Sequence, residues 1–166
     1  MKTALISGGA KRIGAQIVRT LHEDGYKVII HCHQSEEIAQ ALCHELNSKR
    51  NSSAQVVVAD LGDNEAIKKL TQTIKSLDLL VNNASVFYPT SIENSTIENW
   101  DKIININLRA PFFISTELSK VLAVNQGSIV NIIDIHSDRP LKKFSIYNIS
   151  KAGMKMLTKT LAKELA

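Results

Sequence analysis

Tyr147 and Lys151 stand four residues apart near the end of the chain. In a helix that spacing stacks two side chains one turn apart on one face. An ammonium beside a phenol favours the phenolate and draws its pKa towards neutrality. A tyrosine in that state can act as general acid to a carbonyl or imine under reduction. Such a pair is common by chance, and its weight comes from its place. It follows an apolar run, Ser128 to Ile133, that ends at Asp134, thirteen residues before the tyrosine.

At the other end of the chain, Ala4-Leu5-Ile6 runs into Ser7-Gly8-Gly9-Ala10-Lys11-Arg12-Ile13-Gly14. Glycines allow a tight turn and close approach of backbone to a pyrophosphate. A helix opening at that turn adds free N–H groups and positive potential. Lys11 and Arg12 are candidate anion contacts, with two solvated basic residues as the plain alternative. A second apolar run, Val28-Ile29-Ile30, ends in His31-Cys32-His33-Gln34-Ser35, with no acid before Glu36. An acid at that place holds the ribose 2′-OH of NAD. Neutral and basic donors (His31, His33 and Ser35) suit a 2′-phosphate instead, so NADP(H) is expected over NAD. The two histidines have no evident third ligand, and no metal is expected.

These residues need a frame, and the hydrophobic pattern supplies one. Ile13, Ile17, Val18 and Leu21 form a helical stripe that Asp24-Gly25 ends. Ser35 reads as an N-cap, with Glu36 and Glu37 in the first turn and Ile38, Leu42 and Leu46 on the buried side. Val56-Val57-Val58 is a third strand closed by Asp60. Asp63 caps a helix carrying Ile67, Leu70 and Ile74, and Leu79-Leu80-Val81 is a fourth strand. A loop from Asn82 to Ser95 precedes a long helical region, Thr96 to Val124, that Pro111 is expected to kink. Ser128 to Ile133 is a fifth strand, and a last helix starts near Ser145. Uninterrupted apolar strands argue for burial on both faces, as in parallel sheets. Alternating strands and helices give one α/β domain with a doubly wound, Rossmann-like sheet. In the order 3-2-1-4-5 the fifth strand is an apolar open edge, which proteins avoid. The last helix carries neither a glycine cap nor a proline stop. The expectation is therefore a fragment, or a partner over that edge.

Composition narrows the classes. The chain has 166 residues, 44% hydrophobic and 22% charged, which suits one globular domain and excludes wholesale disorder. The net charge is +4, with basic residues scattered along the chain. That argues for a small anionic ligand at least as well as for nucleic acid, and neither a nucleic-acid nor a membrane partner is expected. No apolar run reaches the ~18 residues of a membrane span. The N-terminus reads straight into the first strand rather than into a secretory signal. Cys32 and Cys43 are the only cysteines, which suits reduced thiols in a cytoplasmic protein.

Taken together, Ser7 to Gly14, Asn82-Asn83-Ala84, Asn107 and the Tyr147/Lys151 pair resemble the short-chain dehydrogenase/reductase family, over the whole chain. Ala10 to Gly14, His31-Cys32-His33, Asn83 to Pro89 and Asp134 resemble its pteridine reductase branch. Most members of the family have serine where Asp134 stands and glycine where Arg12 stands. Gln34 occupies a place where arginine is frequent in that branch. The resemblance implies that the family's last strands and substrate loop are missing from this chain.

It also implies roles. Tyr147 would protonate the substrate, while Lys151 would hold the nicotinamide ribose and tune the tyrosine. Asp134 would assist proton delivery, and Asn107 would support a relay by binding water near the lysine. Ser7, Gly8, Ile13 and Gly14 would form the cofactor turn, and Asn82, Ala84 and Ser85 would line the cofactor. Asp60 would bind the adenine amine, with Leu61 beside it. Phe87 would stack on a flat pterin, and Arg12 would contact cofactor phosphate and substrate. The plain alternatives are a strand-end cap for Asp134, a backbone cap at the kink for Asn107, turn formation for Asn82 and Asn83, and loop packing for Phe87. Trp100, Leu108, Phe112 and Phe113 read as core or dimer surface, and His136 lies near the pocket without a role. The implied activity is NADPH-dependent reduction of a dihydropterin or dihydrofolate-like C=N bond. Its rivals are reduction of a ketone such as a 3-oxoacyl thioester, and nucleotide binding without turnover. A homodimer or homotetramer through the fourth and fifth helices is implied, with Ile103, Ile106, Phe113 and Leu118 on the shared face.

Overall fold

Short runs of valine, isoleucine and leucine build five parallel strands in the computed structural model, which describes residues 1–166. They are β1 (Thr3–Ile6), β2 (Lys27–Cys32), β3 (Ala54–Val58), β4 (Leu79–Asn82) and β5 (Ser128–Asn131). Their order is β3-β2-β1-β4-β5, every neighbouring pair parallel. The helices are α1 (Arg12–Glu23), α2 (Glu36–Lys49), α3 (Asn64–Thr73), α4 (Ile97–Ile104), α5 (Ala110–Val124) and α6 (Ser145–Glu164). None is long and apolar enough to cross a membrane.

Successive strand residues face opposite sides, and two cores result. Ile6, Val28 and Ile30 pack with Val18 of α1 and Leu42 and Leu46 of α2. Leu5, Ile29 and Leu80 pack with Ile67 and Leu70 of α3 and Ile114 and Leu118 of α5. Each such side chain contributes about 1.5–3 kcal/mol on burial. The central strands are therefore fixed, and with them the turns at their carboxyl ends. The chain winds one way through β1, β2 and β3 and the other way from β4. The switch point lies between β1 and β4, where such sheets bind ligands.

The expected doubly wound sheet is present, with local differences. Strands β1, β2 and β4 are covered on both faces, whereas β3 and β5 are partly open. The fifth strand stops at Asn131. Ile38 faces solvent, and the buried side of α2 is Ala39, Leu42, Cys43 and Leu46. The break in the long helical region is a π-helical turn at Asn105–Arg109, ahead of Pro111 rather than at it. Pro111 has no N–H for the Asn107 carbonyl four residues back, so the wider turn sits where the ordinary ladder cannot close.

Candidate active site

The glycine turn is stitched to the end of β4 by Ser7. Its hydroxyl accepts from the Asn83 and Ala84 N–H groups at 2.9 and 3.0 Å. Asn83 Nδ2 donates back to the Ser7 and Gly8 carbonyls at 2.9 and 3.1 Å. The approach is so close that a Cβ at Gly14 would overlap the Gly8 carbonyl oxygen and stand 2.7 Å from Asn83 Nδ2. Gly8 has φ +62°, and Arg12 has φ +51°. Arg12 thus holds a left-handed conformation that glycine adopts freely, which accounts for glycine at this place in most of the family it resembles.

His31 lies under this turn rather than on its rim. Its Nδ1 accepts from the Gly8 N–H at 3.1 Å, which leaves Nε2–H to donate to the Ala59 carbonyl, also at 3.1 Å. Burial lowers its pKa to about 4, against the Ala59 hydrogen bond. His33 is outside, 3.8 Å from Asp60. The other Asp60 oxygen accepts from the Gly62 N–H at 2.8 Å. Arg109 reaches from the π-helical turn to the Gly62 carbonyl at 2.7 Å and steadies the same loop.

A cleft of about 560 Å³ runs from Gly8, Arg12 and Ile13 across the strand ends to Asp134, Tyr147 and Lys151. His33, Asp60, Leu61, Ala84, Ser85 and Phe87 border it as well. Ser35 lies with Lys11 and Gln34 on an adjoining hollow. Its hydroxyl does not cap α2, so it is free towards that hollow. Asn82 is buried and donates to Ser115 Oγ and Asn131 Oδ1 at 3.2 and 2.8 Å, supporting the floor. No side chain caps α1 either, so its first N–H groups are open to an anion. An elongated cleft with these bare amides, Lys11 and Arg12 at one end and exposed Ile13 beside them fits a dinucleotide.

At the far end, Asp134 serves two partners. Oδ1 accepts from the His136 N–H at 2.9 Å and caps a short 3-10 turn, Ile135–Ser137. Oδ2 accepts from the Tyr147 hydroxyl at 2.7 Å. The strand-end cap and the tyrosine partner are thus the same carboxylate. Burial favours its neutral form, but the His136 N–H, the Tyr147 hydroxyl and the charges of His136 and Lys151 hold its pKa below the usual range. Burial, and then the Asp134 hydrogen bond and charge, push the Tyr147 pKa well above its ordinary value. Lys151 Nζ donates to the Ile132 carbonyl at 3.0 Å and lies 5.7 Å from the centre of the Tyr147 ring. Its own pKa is lowered by burial, against Asp134. The tyrosine expected to be drawn to neutrality by its lysine is instead held protonated, by burial first and by Asp134 second.

Phe87 stacks on Phe144, with centroids 4.5 Å apart and planes at 13°, and meets the Tyr147 ring edge-on at 4.8 Å. More than half of Phe87 remains exposed. Its loop is held twice. Asn107 accepts from the Val86 N–H at 2.8 Å and donates to the Val86 carbonyl at 3.0 Å and to Ser150 Oγ at 3.2 Å. Thr90 donates its N–H to the Lys143 carbonyl at 2.7 Å and accepts from the Ser145 N–H at 3.0 Å. The sequence carries no spacing signal for Phe144, Thr90 or Arg109, because each acts across loops of no fixed length. A phenylalanine one turn before the tyrosine was the only available hint.

A parallel sheet with a helix-opening glycine turn and a tyrosine–lysine pair at its carboxyl ends defines a nucleotide-cofactor oxidoreductase domain. The family model "short chain dehydrogenase" matches residues 2–166. A short-chain type dehydrogenase/reductase of Picea abies is 32% identical, over 99% of this chain and 65% of its own length. Pteridine reductase 1 of Leishmania tarentolae is 31% identical, over 98% of this chain and 71% of its own. A solved structure of a short chain dehydrogenase/reductase family protein superposes with a TM-score of 0.91 at 27% identity, over 99% of this chain and 68% of that one. The chain belongs to the short chain dehydrogenase family of oxidoreductases, which use NAD(P)H. It spans about two thirds of the length of these relatives.

Proposed function

We propose that this fold carries NADPH-dependent reduction of a pteridine C=N bond. The observation that carries the reading is the 2.7 Å bond from the Tyr147 hydroxyl to Asp134 at the aromatic end of the cleft. A serine at the place of Asp134 would offer a hydroxyl to a ketone oxygen. A carboxylate instead handles the proton that a ring nitrogen must receive. Similarity to the pteridine reductase of Leishmania tarentolae supports the substrate class.

The bound cofactor supplies the hydride. Its pyrophosphate would lie on the first turn of α1 with Lys11 and Arg12, and its adenine by Asp60 and Leu61. A 2′-phosphate would lie among Lys11, His33 and Ser35, at a hollow that the first-turn carboxylates Glu36 and Glu37 also line. Lys151 would hold the nicotinamide ribose and keep its charge off the tyrosine hydroxyl. Phe87 would offer its exposed face to the flat substrate, and Tyr147 would give its proton to the substrate nitrogen. The same reading includes self-association. Ile103 and Leu118 are core residues and Ile106 lines the cleft, so the outward apolar side chains of α4 and α5 are Ile97, Trp100, Phe112, Phe113 and, at the last turn of α5, Val124.

The test is oxidation of NADPH by this protein with dihydrobiopterin, dihydrofolate and acetoacetyl thioesters, and of NADH in parallel. Turnover of the pterins with NADPH is expected. Turnover of the thioester alone would overturn the substrate class, and preference for NADH would overturn the cofactor. Nucleotide binding without turnover would leave only a binding module.

A further inference from the structure

Proton supply at Asp134 is unexplained by Tyr147 and Lys151 alone. The Tyr147 proton points at Asp134 Oδ2, and the carboxylate is held ionised. While that charge stands, the tyrosine is a poor acid. A proton must reach Asp134 before Tyr147 can release its own, and Lys151 is bonded to the Ile132 carbonyl.

His136 is built to provide it. Its Nδ1 lies 2.9 Å from the Arg139 carbonyl, an acceptor only, so Nδ1 carries a hydrogen and the ring is fixed. That leaves Nε2 as the exchanging atom, facing Asp134 Oδ1 at 4.0 Å. One bridging water spans such a gap. The side chains of His136 and Asp134 are 28% and 29% exposed, so the pair stands between solvent and the buried tyrosine. The other charged groups about this turn are Asp138 and Arg139 on the turn itself and Lys151, Lys155 and Lys159 on α6. Lys155 is paired with both Asp138 oxygens at 2.6 and 2.7 Å, so Asp134 is the acid left to His136.

We propose that His136 feeds protons from solvent to the site through Asp134. It acts through the acid rather than on the substrate and is a positioning residue in that sense. Protonated His136 gives its Nε2 proton to the Asp134 carboxylate. The loss of that negative charge makes Tyr147 a stronger acid, and its hydroxyl proton goes to the substrate nitrogen. The carboxyl proton then passes to the tyrosinate, and His136 takes a proton from water. One proton is consumed for each substrate reduced, and every residue ends as it began.

The inference rests on the reading of Tyr147 and Asp134 as the proton path, and the experiment separates the two. His136→Asn keeps an amide for the Arg139 carbonyl but carries no exchangeable proton at the position of Nε2. With NADPH and dihydrobiopterin its kcat should fall at least tenfold with little change in KM. The pH profile of kcat should differ in shape between His136→Asn and the wild type. Independently of turnover, the NMR shift of His136 Nε2 should change in Asp134→Asn, because that atom faces the carboxylate at 4.0 Å. Unchanged kcat in His136→Asn, or an Nε2 shift unmoved by Asp134→Asn, would overturn the relay. Turnover that survives Tyr147→Phe would instead overturn the proton path itself.

Discussion

Acid should loosen the cofactor turn through one histidine. His31 is 2% exposed and uses both ring nitrogens, one towards Gly8 and one towards Ala59. Burial, the largest influence, takes its pKa from 6.5 to about 4, while Ala59 and Asp60 act the other way. The folded state therefore prefers the neutral ring. Its contribution is complete above 6.5, shrinks as pH falls below that, and is gone below about 4. At about 1.4 kcal/mol per pH unit the interval comes to about 3 kcal/mol, a large share of the roughly 5–15 kcal/mol that holds a domain. A protonated ring also has no lone pair for the Gly8 N–H. Urea denaturation of the wild type and of His31→Gln, from about pH 7.5 to about pH 4, measures this directly. The difference between the two proteins cancels the carboxylates that titrate in the same range. It should narrow by about 3 kcal/mol on acidification. A difference that stays constant with pH would refute the picture of a neutral buried ring under the turn.

Arg12→Gly removes a left-handed arginine and should stabilise the protein by about 1 kcal/mol. It should also weaken NADPH binding about tenfold through the lost phosphate contact. Thermal shifts with and without nucleotide would show the two effects in opposite directions. Gly14→Ala, whose Cβ would overlap the Gly8 carbonyl, should lower stability by about 1–3 kcal/mol or more, seen as an earlier thermal transition. Tyr147→Phe should reduce kcat by about 10²–10⁴ while nucleotide affinity, read by fluorescence titration, stays the same. Asp134→Ser should lower the pKa of Tyr147, since a hydrogen bond and a charge that raise it are removed while burial remains. Ultraviolet titration of tyrosinate would detect this as ionisation beginning at lower pH.

The fold was legible where side-chain period and burial coincide. Val18, Leu42, Leu46, Ile67 and Leu70 fall at helical spacing and all reach the sheet. Ile13 and Ile38 satisfy the same spacing and do not. Ile13 lines the cleft, where an apolar residue suits a ligand, and Ile38 lies on the open side of α2. Spacing records which residues share a helix face and not what lies opposite that face. Pro111 marks a kink in the sequence because it cannot continue the hydrogen-bond ladder. The adjustment instead falls in the preceding turn, where Asn107 also needs room to reach Val86.

The site divides in the same way. Tyr147 and Lys151 pair from sequence, because helix pitch brings them together whatever the remainder does, whereas Asp134 joins them only through the family resemblance. The sign of the effect on the tyrosine could not be read, because it depends on which neighbour reaches the hydroxyl. Lys151 Nζ is drawn to the Ile132 carbonyl, and the carboxylate takes the phenolic proton. The strength of Tyr147 as an acid is therefore set less by the lysine beside it than by the charge on Asp134. A family member with serine at that place lacks this control. One with aspartate acquires an acid whose readiness follows the protonation of its own neighbours, and the side chain next along the path to solvent is His136.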